Sequence, residues 1–190
     1  MKFLIVVLGI VAGSFPAQAE KTIDLTKPAQ TRVVEINKDL DRLFFLLAKA
    51  PDEKQARAVE GEIWLAWLAL PEEPVRKLVK EAMEARRWYD FAKARKILDM
   101  VVEQAPDYAE GWNQRAFILF LQENFDQSLS DLEKALELEP RHFGAMAGQA
   151  RILMRQGRFA TGQALLKKAV KIYPFLRERS LIVMTKEKEL

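Results

Sequence analysis

The stretch AEGWNQRAFILFLQENFDQSLSDLEKALELEP, Ala109–Pro140, is followed two residues later by FGAMAGQARILMRQGRFATGQALLKKAVKIYP, Phe143–Pro174. Laid over one another at a spacing of about 34 residues, the two share their landmarks. Trp112 falls on Met146, Ala116 on Ala150, Leu119 on Leu153, Phe125 on Phe159, Leu132 on Leu166, Ala135 on Ala169 and Pro140 on Pro174. A weaker copy, Val75–Pro106, precedes them, with Leu78, Ala82, Ala85, Phe91, Ala94, Leu98, Val101 and Pro106 at the same offsets. Each copy holds two helical patterns. Trp112, Ala116 and Leu119 lie on one helix face, and Leu129, Leu132, Ala135 and Leu136 on another. Gln122-Glu123-Asn124 is the polar turn between them; in the third copy Gln156-Gly157 takes its place, and Gly suits the left-handed residue that ends a helix. Proline closes each copy because it cannot continue a helix. Small residues (Ala116, Ala135, Ala150, Ala169) let paired helices approach, and Phe125 and Phe159 are expected to fill the space between neighbouring pairs. One pair cannot bury its apolar face alone, so the copies should stack into a right-handed solenoid with a concave side.

These residues resemble the tetratricopeptide repeat (TPR) family over Val75–Pro174, roughly half the chain. The second copy keeps Trp112, Ala116, Leu119, Phe125, Ala135 and Pro140 of the family pattern. It departs at Ser128, where the family usually has Ala, and at Leu132, where it often has an aromatic. The first copy departs more, with Trp88 and then Tyr89 where the turn usually has Gly. The expected architecture is an all-α TPR helical-hairpin solenoid of about three repeats (75–106, 109–140 and 143–174).

Outside the repeats the chain has other parts. Lys2, the apolar run Phe3–Gly13 and the small-residue site Ala17-Gln18-Ala19 read as a cleavable signal peptide over residues 1–19, so the mature chain should begin at Glu20. The apolar run is too short to span a bilayer, which takes about 20 residues, so no stable membrane insertion is expected after cleavage; the alternative is an uncleaved membrane anchor. Residues 20–34 read as a flexible leader. An N-terminal helical hairpin follows over 35–71. Its first helix, near Ile36–Ala48, carries Leu40, Leu43, Phe44 and Leu47; the second, capped by Asp52 with Gln55 reciprocating, carries Val59, Ile63, Trp64 and Trp67. The hairpin is expected to cover the exposed end of the first repeat. Its segment Leu40–Trp67 looks like the leader of exported, periplasmic TPR proteins of alphaproteobacteria. Phe175–Met184 reads as a capping helix within a terminal segment over 175–190.

The 190 residues carry 30 Lys and Arg against 27 Asp and Glu, a formal charge of +3. The charges are interspersed, which suits a solvated surface and gives no polybasic track for nucleic acid. There is no Cys and a single His, so disulfides and zinc sites of the usual ligand set are not expected. No cofactor or metal is called for. No glycine-rich phosphate loop, nucleophile elbow or acid–base pair is found, which argues against an enzyme.

The family resemblance implies that the first helix of each pair lines the groove. Its inward offsets fall on Val79, Met83, Arg86 and Arg87; on Glu110, Asn113, Phe117, Phe120 and Leu121; and on Ala147, Arg151, Met154 and Arg155. The candidate partner-binding set is Arg86, Asn113, Phe117, Phe120, Arg151 and Arg155. Aromatics would anchor an extended or helical peptide, and arginines would pair with its carboxylates. The alternative for Phe117 and Phe120 is a packing role, and for the arginines a solvated face. The subgroup that clamps a terminal carboxylate is not expected, because Gln114, Phe117, Gly148 and Arg151 replace the required types. His142 reads as a surface turn residue, and Asp126 and Asp131 as ordinary polar surface. Trp64 and Trp67 read as buried at the junction of hairpin and repeats, with a sugar or lipid site as the alternative. The resulting expectation is a scaffold or adaptor of the cell envelope, periplasmic or secreted, that binds a protein or peptide. The alternative is a binder of a small apolar or anionic ligand, held in a pocket lined by Trp64, Trp67 and Phe117.

Overall fold

A computed structural model describes residues 23–183. The signal-peptide reading and the first residues of the leader lie outside the described residues, as does the segment 184–190. Eight helices among the described residues form four successive hairpins: α1 (Ala29–Ala48) with α2 (Glu53–Ala69), α3 (Glu73–Arg87) with α4 (Phe91–Gln104), α5 (Ala109–Leu121) with α6 (Phe125–Leu138), and α7 (Phe143–Arg155) with α8 (Phe159–Ile172). The fold is all-α, with the stacked helix pairs of a TPR array.

The turns inside the three repeats obey one rule. Tyr89, Glu123 and Gly157, at equivalent positions, have φ of 61°, 59° and 79°. In each, the amide of the following residue reaches back to a carbonyl one turn inside the preceding helix: Asp90 to Ala85 at 2.9 Å, Asn124 to Leu119 at 2.9 Å and Arg158 to Leu153 at 2.8 Å. This is the Schellman closure, which needs a left-handed residue. The missing Gly in the first two turns therefore changes no geometry; it adds backbone strain at Tyr89 and Glu123. Phe159 does not fill the space between pairs: it is 63% exposed.

Helix α1 starts at Ala29, inside the segment expected to be a flexible leader. Pro28 sits at its N-cap, where a fixed φ and an absent N–H cost nothing. The buried stripe Ile36, Leu40, Leu43, Leu47 is extended one turn backward by Arg32, only 4% exposed. Its guanidinium donates to Pro71 O at 3.4 Å and to Glu72 Oε1 at 3.2 Å. A charged residue completes the apolar stripe, and beyond Lys27 O its partners lie about forty positions away, so no local period announces it. Asp52 caps α2 as expected, accepting from the Gln55 amide at 2.8 Å, but the Gln55 side chain returns to the Asp52 carboxylate at 3.1 Å.

The hairpin α1–α2 does not simply close the first repeat. Its buried side chains join those of the third repeat in one core that includes Leu43, Leu47, Trp67, Phe143, Met146 and Tyr173. Leu68 and Leu70 touch a second core, built on α3 and α4. A third, smaller core lies between the second and third repeats. The reason is ring packing and charge. Trp67 stacks on His142 with centroids 4.1 Å apart, and Trp64 meets Phe143 edge-on at 5.7 Å. Polar ties follow at the rim: Tyr173 Oη donates to Glu60 at 2.8 Å, and Arg141 pairs with Asp41 at 2.7 Å while lying over Phe44.

The terminal segment is not a capping α-helix. A single 3₁₀ turn, Arg177–Leu181, takes its place. Five residues of mixed charge offer no apolar face for a longer helix. Leu176 is nonetheless buried against the third repeat, and Gln163 fixes the segment by donating to Leu181 O and accepting from the Val183 amide. No helix among the described residues is long and apolar enough to cross a membrane.

Candidate functional site: the groove between α5 and α7

Asn113, Phe117 and Phe120 recur along α5 at spacings of four and three, so they share one face. On α7, Gly144, Gly148 and Arg151 do the same. The two faces enclose a cavity of about 60 Å³, with Ala116, Ser128, Leu132 and Ile152 completing its lining. Two glycines of α7 stand on its wall. A Cβ on Gly148 would sit 3.5 Å from Leu132, and one on Gly144 would sit 3.1 Å from the Trp64 ring. Ser128, the departure from the family pattern, is fully buried, and its hydroxyl donates to Ala116 O at 2.8 Å.

Four of the six expected residues (Asn113, Phe117, Phe120 and Arg151) line this cavity together. Phe117 is 43% exposed, so it is not core. Phe120 is half-buried and packs on Phe125 at 5.8 Å, sharing both roles. Arg86 stands at the edge, its guanidinium 5.3 Å from the Phe117 centroid. Arg151 lies 5.3 Å from the Phe120 centroid and 3.9 Å from Glu178. Arg155 is not brought to the cavity: it covers Phe125 at 4.9 Å and pairs with Glu123 at the turn. Val79, Ala147 and Glu110, three of the offsets carried over from the family, are buried rather than open to the groove.

Sequence reasoning missed the polar centre behind the groove. His142 is fully buried and Glu110 is 1% exposed. His142 Nδ1 accepts from the Ala145 amide at 3.1 Å, capping α7, so its proton sits on Nε2, which donates to Glu110 Oε2 at 2.9 Å. Asn113 Nδ2 donates to the same oxygen at 2.9 Å, and Gln114 Nε2 donates to Oε1. Gln114 Oε1 in turn accepts from Arg86 Nη1 at 2.8 Å. The available signal was position: His142 and Tyr108 are both N-caps and lie one repeat apart. A turn residue looks exposed until something covers it, and the cover is Trp67. Asp131 is likewise buried rather than surface, gripped by Arg115 through two bonds of 2.7 Å. That pairing holds the Arg115 guanidinium above its ordinary pKa, chiefly through the Asp131 bonds.

Comparison with known proteins agrees with the fold. The tetratricopeptide repeat profile matches residues 109–142. A TPR repeat-containing protein of Rhizobium etli is 36% identical over 135 residues, 71% of this chain and 66% of that one. The match thus spans just under two thirds of the relative's length. Among solved structures, the TPR2B domain of yeast Sti1 in complex with pHsp70 superposes with a TM-score of 0.53 at 22% identity, over 57% of this chain and 89% of that one. The TPR2AB domain of yeast Sti1 in complex with pHSP90 gives 0.53 at 20% identity, over 80% and 60%. Residues 109–142 match a tetratricopeptide repeat, and the chain as a whole has the fold of a tetratricopeptide repeat array.

Proposed function

We propose that this protein is a scaffold or adaptor of the bacterial cell envelope that holds a segment of a partner protein in the groove between α5 and α7. The segment would place one apolar side chain between Phe117 and Phe120 and an acidic group between Arg86 and Arg151. The observation that carries the reading is the cavity itself: an apolar slot with exposed Phe117 on its wall and a guanidinium beside each aromatic. Guanidinium groups pair carboxylates in a fork geometry, and a desolvated aromatic supplies the anchor. The yeast Sti1 domains that share the fold are themselves in complexes with pHsp70 and pHSP90. The envelope part rests on the signal-peptide pattern of residues 1–19 and on the resemblance of Leu40–Trp67 to the leader of exported TPR proteins.

A small apolar or anionic ligand fits less well. Ligand sites usually measure about 300–1,000 Å³, and Trp64 and Trp67 are engaged by His142 and Phe143 rather than facing Phe117.

The test is photo-crosslinking in cells from a photoreactive residue at position 117, with Arg151→Glu as the control. An envelope protein should be captured through a segment that carries an apolar residue beside Asp or Glu, and charge reversal should abolish the adduct. The captured chain itself should begin at Glu20. An adduct indifferent to Arg151 would overturn the groove reading.

A further inference from the structure

We propose that Glu110 is the positioning residue of the groove, setting the donor and acceptor pattern a partner meets although it touches no partner itself; this rests on the groove reading above. Glu110 is buried, and its two oxygens receive three donors, two from its own helix and one from the turn before α7: Asn113, Gln114 and His142. An ionised carboxylate only accepts. Each side-chain amide beside it must therefore turn its nitrogen inward and its oxygen away.

For Gln114 the consequence reaches the surface. With Nε2 on Glu110, Oε1 faces outward and takes Arg86 Nη1 at 2.8 Å. Were the amide reversed, it would present N–H to N–H and release Arg86. The charge at Glu110 thus keeps the guanidinium parked over Phe117. For Asn113, which lines the cavity, Nδ2 is committed to Glu110 at 2.9 Å. The group left to the cavity is its carbonyl, an acceptor for a peptide N–H. One buried carboxylate so defines a groove that offers an acceptor at Asn113 and a cation at Arg86.

Glu110 is fixed in turn from α7. His142 has both ring nitrogens engaged, one by the Ala145 amide and one by Glu110, and Trp67 stacks on its face. The carboxylate cannot rotate without giving up its bond to the residue that caps α7.

The test uses the full chain and two variants, Glu110→Gln and Gln114→Leu, read by NMR of the Arg86 Nε–H and Asn113 Nδ2 groups. The wild type should show a restrained Arg86 side chain. Both variants should average it, and only Glu110→Gln should move the Asn113 amide. Backbone signals of α3 and α4 should stay in place, which a general loss of structure would not allow. Where Glu110→Gln fails to fold, Gln114→Leu decides. An Arg86 signal unchanged in a folded Gln114→Leu variant overturns the proposal. A parallel titration with the peptide acetyl-Glu-Glu-Leu-Glu-Glu-amide should weaken roughly tenfold on Gln114→Leu, and no further when Arg86→Ala is added, because the two act in series. If the wild type ignores this peptide, the groove reading fails on its own, while the Arg86 signal still judges Glu110.

Discussion

Tyr108 and His142 hold the same place in successive repeats, and both are buried, yet only one is satisfied. The ring of His142 uses both nitrogens, whereas the hydroxyl of Tyr108 finds no partner. A buried unpaired hydroxyl costs about 1–3 kcal/mol. Tyr108→Phe should therefore stabilise the protein by about 1 kcal/mol in urea denaturation at pH 7. Burial also raises the Tyr108 pKa well above its ordinary value, with Glu110 adding to it. Burial and the Glu60 bond raise that of Tyr173. Unfolded tyrosine ionises near pH 10. The folded phenols still hold their protons there, so stability is intact below pH 10 and falls as pH rises above it. Denaturation midpoints across pH 9–11 should show that fall, less steep in Tyr108→Phe. At this scale the sequence was only partly readable. Asn113, Phe117, Phe120 and Arg151 could be placed because they follow the repeat's own period. His142 and Asp131 could not, and Glu110, which the same period put on the groove, is buried behind it, since burial depends on partners that no local spacing encodes.

The helices of the three repeats were legible because apolar spacing, turn and closing proline recur together. The start of α1 was not, because a charged residue carries its stripe, and the segment around the 3₁₀ turn Arg177–Leu181 imitates a helix through Leu176, Leu181 and Val183, of which only Leu176 is buried. Glycines inside elements separate the two kinds of role a helix position can have. Gly61 lies mid-helix in α2 with nothing within 4 Å of an added methyl, whereas a methyl on Gly162 of α8 would fall 2.6 Å from Met154 Cγ and 2.9 Å from Ala150 O. Gly61→Ala should raise stability by about 0.5–1 kcal/mol, the helix-propensity gain. Gly162→Ala should lower it by about 1–3 kcal/mol, because the α7–α8 pair must open to admit it. Thermal unfolding of the two variants, side by side, gives both signs.

In an ordinary solenoid each repeat couples to its neighbours alone. Here the first hairpin and the third repeat share one core, while α3 and α4 build another. Hydrogen exchange should accordingly find α1, α2, α7 and α8 opening together, with α3–α4 as a separate unit. Trp67→Ala, which removes a buried ring worth about 3–5 kcal/mol, should strip protection from α7 and α8 more than from α3. Equal loss in all repeats would contradict this division.

The contacts that span the molecule also bear on how such a protein can change over generations. Repeat arrays lengthen by duplication, because a new copy need only match the one beside it. In this chain Tyr173 reaches Glu60 across 113 positions, and Arg141 reaches Asp41 across 100. One more copy between them would carry both pairs out of reach and strip the cover from His142. The hairpin thus gauges the array, and growth by duplication is open only to lineages that first give up the closure.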